Sequence, residues 1–500
     1  MNVVIVGGGT AGWLTALMMS AYKPNNTYTV IESTEIGIVG VGEGSTGLIR
    51  AVITNPLLGL NDYEFIKQTN ATPKLGIRFK NWKGDGTHFD AALEGSYTCR
   101  SSEGLDSSIF SCVLNDLPLE YAAKSSHLTL NNKTNFFGEG DGLSTHEDLH
   151  AYHFNAHKVG KYFMSKCINR ENVTHIDSKI TDVIVSNNKI TELVLQDGDK
   201  ISADLFVDCS GFARLLSSKL NQNIKSFKEY LPLDSAFMFN LVNDDAEKLP
   251  VTMANAVNTG WIFEIPTQDR IGRGYIYCSQ FADEDDIVKE LETLYSKEIQ
   301  KVKSIKFHSS RLEESFYSNC VSFGLSSCFF EPLQATNIHT TIIQITDFIN
   351  NVMCSDIETT TNLSSQKLYN DRMNFMFDDI ADFISIHYEG GREDTEFWKF
   401  VKYNKNKTEY VKHILEIADK RLTRFNDFKQ YPWSPSQALY NITLAGIGKF
   451  KKEIITKQYQ DWDITDQDVM LELNSVRSNW EGQTSTYYSV DKFIRKIQKL

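Results

Sequence analysis

The sequence predicts an α/β fold, and three observations carry that prediction. The chain opens on Val3-Val4-Ile5-Val6, an apolar run of strand length. It passes through Gly7-Gly8-Gly9 into Trp13-Leu14-Thr15-Ala16-Leu17-Met18-Met19, an apolar helix. A second apolar strand, Tyr28-Thr29-Val30-Ile31, closes the first βαβ unit. A third, Ala203-Asp204-Leu205-Phe206-Val207, ends in Asp208-Cys209-Ser210-Gly211, a strand end of the kind at which doubly wound sheets place ligands.

The opening turn carries the first chemistry. Gly7, Gly9 and Gly12 fall on G-x-G-x-x-G, with Thr10 and Ala11 completing it. The first glycine permits the tight turn, the second lets a pyrophosphate approach the backbone, and the third lets helix pack on strand. The helix N-terminal amides then face the phosphates. Glu32 stands twenty residues past Gly12, where an acid can accept hydrogen bonds from a ribose. A dinucleotide-binding, Rossmann-type core follows. No second such turn follows a strand and opens a helix, since Gly272-Arg273-Gly274 and Gly446-Ile447-Gly448 lack that context. One dinucleotide site is therefore expected. If it holds FAD, the electrons come from a separate protein or a transient nicotinamide.

Further along, Gly40-Val41-Gly42-Glu43 is a second glycine-rich segment, able to lie against a flat cofactor. Residues 51–150 give mostly turn signals, such as Gly84-Asp85-Gly86. A helix is expected over 151–169 and a strand pair around Ser186-Asn187-Asn188. Strands are expected at Gly260–Pro266 and Gly274–Phe281, and helices at Asp283–Leu294 and Thr340–Val352. From Phe375 onward Lys, Asp, Tyr and Trp recur at helical spacing.

Composition excludes several classes. A net charge of -13 offers no field to attract nucleic-acid phosphates or an anionic membrane. No apolar run reaches the roughly 18 residues that a membrane span needs. The first residues are a core strand, which leaves no room for a signal peptide. The eight cysteines form no C-x-x-C, so neither a zinc site nor a redox dithiol is expected, and buried thiols in a reducing cytoplasm fit best.

Several segments, in order and with similar spacing, resemble one family. They are Gly7-Gly8-Gly9-Thr10-Ala11-Gly12-Trp13, Gly40-Val41-Gly42-Glu43, Lys74-Leu75-Gly76-Ile77-Arg78-Phe79-Lys80-Asn81-Trp82, Tyr152-His153-Phe154-Asn155-Ala156 and Asp208-Cys209-Ser210-Gly211. Gly260-Trp261-Ile262-Phe263-Glu264-Ile265-Pro266, Ser326-Ser327-Cys328-Phe329-Phe330-Glu331-Pro332-Leu333, Met376-Phe377-Asp378-Asp379 and Arg392–Trp398 follow. Together they resemble the flavin-dependent halogenases of the tryptophan-halogenase type, and within it a viral, cyanophage-type member. The fold this implies is an FAD-binding, glutathione-reductase-like monooxygenase core with an interleaved substrate-side sheet. Residues 1–374 would form that core and 375–500 a mainly helical region packed on it.

The resemblance implies a division of labour. Reduced FAD, supplied by a separate flavin reductase, and oxygen convert a bound halide to hypohalous acid. That acid travels to a lysine, and a small aromatic substrate is halogenated. Lys74 matches the family lysine, against the plainer reading of one surface charge. Trp261 and Phe263 match the pair that walls flavin from substrate, against a plain packing role. Leu333 closes the segment that matches the family's S-S-C-F-x-E-P-L, and the resemblance implies that it contacts the cofactor. The family continues E-P-L-E-S-T-G, with the second Glu near the lysine and the Thr-Gly amides near the halide. Here Gln334 replaces the acid, Thr336 is kept, and Asn337 replaces the glycine. An amide cannot take the proton lost from a ring carbon, although it still donates and accepts hydrogen bonds. Bromide or iodide is therefore expected over chloride, and phenol- or indole-type rings over a demanding position.

Three readings stand beside this one: a single-component flavin hydroxylase, which takes NAD(P)H itself and needs no halide; a related reductase that saturates isoprenoid double bonds, which needs an apolar pocket; and a catalytically decayed FAD-binding partner protein. His153 and His157, four apart on the expected helix, have metal-like spacing but no third ligand, and no metal is expected. Arg78 and Lys80 alternate with Ile77 and Phe79 as on a half-exposed strand and are read as structural.

Overall fold

Four consecutive apolar residues cannot alternate between a core face and water, so Val3 to Val6 demand a strand covered on both sides. All four are buried to within 3% exposure. The computed structural model describes residues 1–36, 43–93, 106–138, 143–145, 150–220, 222–404, 406–429, 431 and 434–499. These residues form two units, each made of three stretches of chain. The first is Met1–Ala71, Phe154–Ser226 and Ser309–Asp378; the second is Thr72–His153, Phe227–His308 and Asp379–Leu500.

The first unit is built on a six-stranded sheet. Its order is Val173–Asp177, Thr27–Glu32, Asn2–Val6, Leu205–Asp208, Cys320–Ser322 and Phe316–Tyr317. The first five run parallel, in the register Val3 to Tyr28 on one side and Val3 to Leu205 on the other. Val4, Val6, Ile31 and Phe206 of this sheet pack with Val183, Ile190, Leu193 and Leu195 of a hairpin. The hairpin turns where expected, at Asn187 and Asn188, both at positive φ (50° and 58°), a conformation asparagine tolerates. Asn319 locks hairpin to sheet: its side chain accepts from the Ile190 amide at 3.0 Å and donates to the Ile190 carbonyl at 2.9 Å.

The Asp208 carboxylate, fully buried at the end of its strand, is wholly engaged by the chain. It accepts from the Ser210, Leu216 and Ser217 amides at 3.0, 3.0 and 2.9 Å, and from the Ser210 and Ser217 hydroxyls. It braces the strand-to-loop turn.

The second unit holds a seven-stranded sheet, in the order Ile299–Lys306, Ser235–Leu241, Ile271–Tyr277, Gly260–Pro266, Thr252–Val257, Gly76–Lys80 and His88–Ala92. Only the Thr252–Val257 and Gly76–Lys80 pair is parallel. Two tryptophans pin the Thr252–Val257 strand. Trp82 donates to the Ala254 carbonyl at 2.9 Å and Trp398 to the Val257 carbonyl at 2.7 Å. The C-terminal segment is helical, including Glu409–Lys420, Gln437–Gly446, Lys452–Asp461, Asp466–Thr484 and Val490–Ile497. No helix among the described residues is long and apolar enough to cross a membrane.

Three local expectations are corrected. The helix over 151–169 is a strand, Ala151–Phe154, followed by a helix, Ala156–Cys167. Asn155 divides them by capping the helix, its side chain accepting from the His157 and Lys158 amides. His153 and His157 therefore do not share a helix face. The helix expected from Thr340 begins at Thr336, because Ala335 takes a left-handed conformation (φ 55°) and turns the chain into it. Residues 51–150 contain more regular structure than their turn signals suggest, including Asp62–Thr69, Ser107–Leu114 and Lys124–Leu130. These helices are only seven or eight residues long, too short for a periodic pattern to emerge.

Candidate active site

In the first unit, the Asn2–Val6 strand delivers Gly7 at φ 118°, a backbone that L side chains avoid. A Cβ on Gly7 would stand 2.3 Å from the Cys209 carbonyl oxygen, and one on Gly12 would stand 1.8 Å from the Gly7 oxygen. A Cβ on Gly9 would meet nothing within 4 Å. Two glycines are thus required by packing, and the third keeps an open backbone face. Gly9 also heads the Thr10–Tyr22 helix, which has no side-chain cap. Its first amides are left for an outside acceptor. Thr10 bonds back to the Ala156 carbonyl, at 3.4 Å. Ala11 faces Gly324, where an added Cβ would come within 3.1 Å of the Ala11 methyl and 3.3 Å of the Thr341 hydroxyl.

Glu32 ends its strand beside this turn. Its carboxylate lies so close over Gly8 that a Cβ there would overlap it, and it sits 2.9 Å from His175 Nε2. Just beyond it opens a groove of about 350 Å³ lined by Thr34, Glu35, Asp177, Ser178, Lys179 and Gln196. The groove was missed by sequence reasoning. The signal for it is the paired carboxyl ends of two parallel strands, Thr27–Glu32 and Val173–Asp177. A glycine turn with no room for a Cβ at Gly7 or Gly12 and an open backbone face at Gly9, an uncapped helix head, an acid at the second strand end and an adjacent groove together fit a dinucleotide such as FAD.

Gly40, Val41 and Gly42 lie outside the described residues. Glu43 is partly buried, and desolvation pushes its carboxyl up to about 7. Three residues on, the Thr46 hydroxyl meets His339 Nδ1 at 2.9 Å, and burial holds that imidazole down to about 4, so it is neutral at physiological pH.

The segment before the Thr336–Asn351 helix turns tightly, with the Leu333 amide donating to the Glu331 carbonyl at 2.8 Å. Leu333 is buried, and Gln334 is 9% exposed. The helix has no side-chain cap. At its head the Thr336 hydroxyl and the Asn337 Oδ1 are buried without hydrogen-bond partners. Of these the Thr336 hydroxyl can donate, so it and the positive end of a 16-residue helix suit an anion, whereas the Asn337 Oδ1 is an acceptor and does not.

In the second unit, Lys74 ends the strand Thr72–Lys74 at 1% exposure. The strand is held at both ends. The Thr72 hydroxyl donates to the Pro266 carbonyl at 2.6 Å, and the Leu75 amide to the Pro250 carbonyl at 2.7 Å. Burial pulls the Lys74 amine down to about 7. Trp261 and Phe263 share one face of the Gly260–Pro266 strand, with ring centroids 6.4 Å apart. Trp261 Nε1 is buried and unpartnered. Phe263 lies over Gly274, where a Cβ would come within 2.5 Å of its ring. Arg78 grips Asp90 at 2.7 and 2.8 Å. Around that pair, ligand atoms of His88, Asp90 and Glu120 come within 4.8 Å of one another, and Arg78 already supplies the positive charge a cation would bring.

A family model described as tryptophan halogenase matches residues 2–454. The chain is 33% identical over 433 residues to the 7-chloro-L-tryptophan 6-halogenase KtzR of Kutzneria sp. (strain 744), covering 80% of this chain and 81% of that protein. It is 29% identical over 435 residues to the tryptophan 7-halogenase RebH of Lentzea aerocolonigenes, covering 80% and 78%. Among solved structures, a tryptophan 6-halogenase (SttH) from Streptomyces toxytricini superposes with a TM-score of 0.87 at 27% identity, over 99% of both chains.

Two outcomes follow from the geometry. Gly12→Ala loses about 3 kcal/mol or more of stability through its backbone clash. Gly9→Ala keeps wild-type stability but weakens FAD binding at least about tenfold, because its methyl stands on the open face. Thermal melts and flavin titration check both. For Lys74, the folded amine sits near 7 against 10.5 unfolded. As pH falls from 10.5 to 7 the unfolded chain takes up a proton that the folded chain refuses, so stability drops across that window and levels off below it. Lys74→Met removes this cost. Urea unfolding should find the variant more stable at pH 7, by on the order of 4 kcal/mol, with the gain vanishing near pH 10.5.

Proposed function

The chain belongs to the tryptophan halogenase family, and on that premise we propose that it is an FADH2-dependent halogenase of electron-rich aromatics that favours bromide or iodide over chloride. The observation that carries the reading is the buried Lys74 amine, held near neutrality within the motif that matches the family lysine. Bound FAD, reduced by a separate flavin reductase, supplies with oxygen the oxidising power for the halide.

The chain's own residues do the rest. Gly7, Gly9, Thr10, Ala11 and Gly12 seat the pyrophosphate on helix amides, Glu32 takes the ribose, and the groove beyond it takes the adenine. Gly40 to Glu43 and Leu333 flank the flavin ring. The halide sits at the head of the Thr336–Asn351 helix, where the helix dipole, the backbone amides and the Thr336 hydroxyl favour an anion. Asn337 adds a side-chain amide there that the family glycine lacks. Trp261 and Phe263 wall the flavin from the organic substrate. Lys74 either holds hypohalous acid as a hydrogen-bond donor or, as the neutral amine, takes its halogen to form a haloamine while the halogen–oxygen bond breaks and water leaves, and so presents the halogen at a fixed place. Near pH 7 its amine is divided between both protonation states, so either role is open to it.

Gln334 sets the chemical limit. Its amide cannot polarise hypohalous acid or accept the ring proton as a carboxylate does. The burden moves to the halide and the ring. Bromide and iodide are less tightly hydrated and more readily oxidised than chloride, and phenols or indoles lose the proton with little help.

Reduced FAD, oxygen, each halide in competition and a panel of phenols and indoles provide the test, read by product mass. Brominated or iodinated product is expected in at least about tenfold excess over chlorinated product, and Gln334→Glu should raise the chlorinated share about tenfold. Chloride preferred by the wild type would contradict the halide assignment. Oxygenated product formed from NAD(P)H without halide would replace the whole reading with a hydroxylase.

A further inference from the structure

The strand that carries Lys74 pairs antiparallel with Ala151–Phe154. In that register Thr72 lies opposite His153 and Lys74 opposite Ala151. Directly opposed residues point to one side of a sheet, so Thr72, Lys74, Ala151 and His153 share a face. Lys74 and His153 are diagonal neighbours on it, a separation of about 7–8 Å that a long side chain spans.

His153 is fully buried. Its Nε2 meets the Thr252 hydroxyl at 2.9 Å, while its Nδ1 has no hydrogen-bond partner. Thr252 heads the Thr252–Val257 strand that Trp82 and Trp398 pin, so the ring is anchored to rigid structure. In the tautomer whose Nε2–H donates to Thr252, Nδ1 is a bare acceptor, and a bare acceptor in a core costs free energy until a donor arrives. Burial first, and the Lys74 charge second, hold the His153 imidazole well below its ordinary range, so it is neutral. Among the described residues Lys74 is the one charged group acting on His153, and burial is the cause of the Lys74 shift. His150, just before the strand, is engaged with Asn135 and Tyr152.

We propose that His153 is the positioning residue for Lys74: in the flavin-loaded protein its Nδ1 accepts a hydrogen bond from the Lys74 ammonium and holds that group at one place on the shared face. Because His153 is the weaker base of the two, the proton stays on Lys74. One ammonium hydrogen goes to His153. The inference rests on the reading of Lys74 as the halogen-relaying amine, and its test separates the two.

The test is a side-chain titration of Lys74 in full-length, flavin-loaded protein carrying isotope-labelled lysine, with the signal assigned by its loss in Lys74→Met. His153→Asn keeps an acceptor near the Nδ1 position, and His153→Gln keeps a group near Nε2 for Thr252 but none at Nδ1. Loss of the bond destabilises the ammonium, so His153→Gln should lower the Lys74 midpoint by about half a pH unit or more. It should also lower kcat about tenfold with KM unchanged. His153→Asn should restore both to within about threefold of wild type. Thr252→Val, which frees the ring without touching the shared face, should move both in the same direction as His153→Gln but by less. A Lys74 midpoint unchanged in His153→Gln and Thr252→Val overturns the proposal, whatever happens to activity. A midpoint that moves as described, in a protein that halogenates nothing, upholds the pairing and removes the halogenase reading instead.

Discussion

A lysine amine held at 1% exposure is the constraint on which this molecule depends. A buried ammonium is costly, and a flexible four-carbon stem will carry it back to water unless the surrounding structure forbids that. Here the strand is clamped at Thr72 and Leu75 by carbonyls of Pro266 and Pro250. Its neighbour across the ladder is a second buried strand, Ala151–Phe154. The amine that results is neither a fixed cation nor a neutral base but a group poised near 7.

Two nearly independent structural problems are solved in the two units. The first unit makes places for anions from bare backbone. The glycine turn exposes amides because a Cβ cannot fit at Gly7 and Gly12, and Ala335, at positive φ, turns the chain into a second uncapped helix head at Thr336. Both use helix dipoles rather than arginines, in keeping with a chain of net charge -13. The second unit keeps an amine and an aromatic pair on pinned strands.

Legibility in the sequence followed how locally each feature is encoded. The opening turn was readable because sterics dictate its residues one by one: the glycines at 7 and 12 are those that a methyl would break. The Asn187-Asn188 hairpin and the Gly260–Pro266 strand were readable for the same reason. His153 was misplaced on a helix, because the partner that makes it a strand residue, Thr72, is 81 positions away. The groove past Glu32 was invisible for the same cause, being formed by strand ends far apart in the chain. The Asp208 segment looked like a ligand-facing strand end, yet its carboxylate turned out to be consumed by five bonds from the loop that follows it.

The central claim is that oxidising the halide and placing the halogen on a ring are separate tasks, the second belonging to Lys74. The most direct measurement follows both products of Lys74→Met at once, given reduced flavin, oxygen, bromide and an indole, with a chemical trap for hypobromous acid. The account predicts hypobromous acid trapped at close to the wild-type rate and no brominated indole in the absence of free diffusion. Brominated indole formed by Lys74→Met at the wild-type rate, with the trap present, would contradict it.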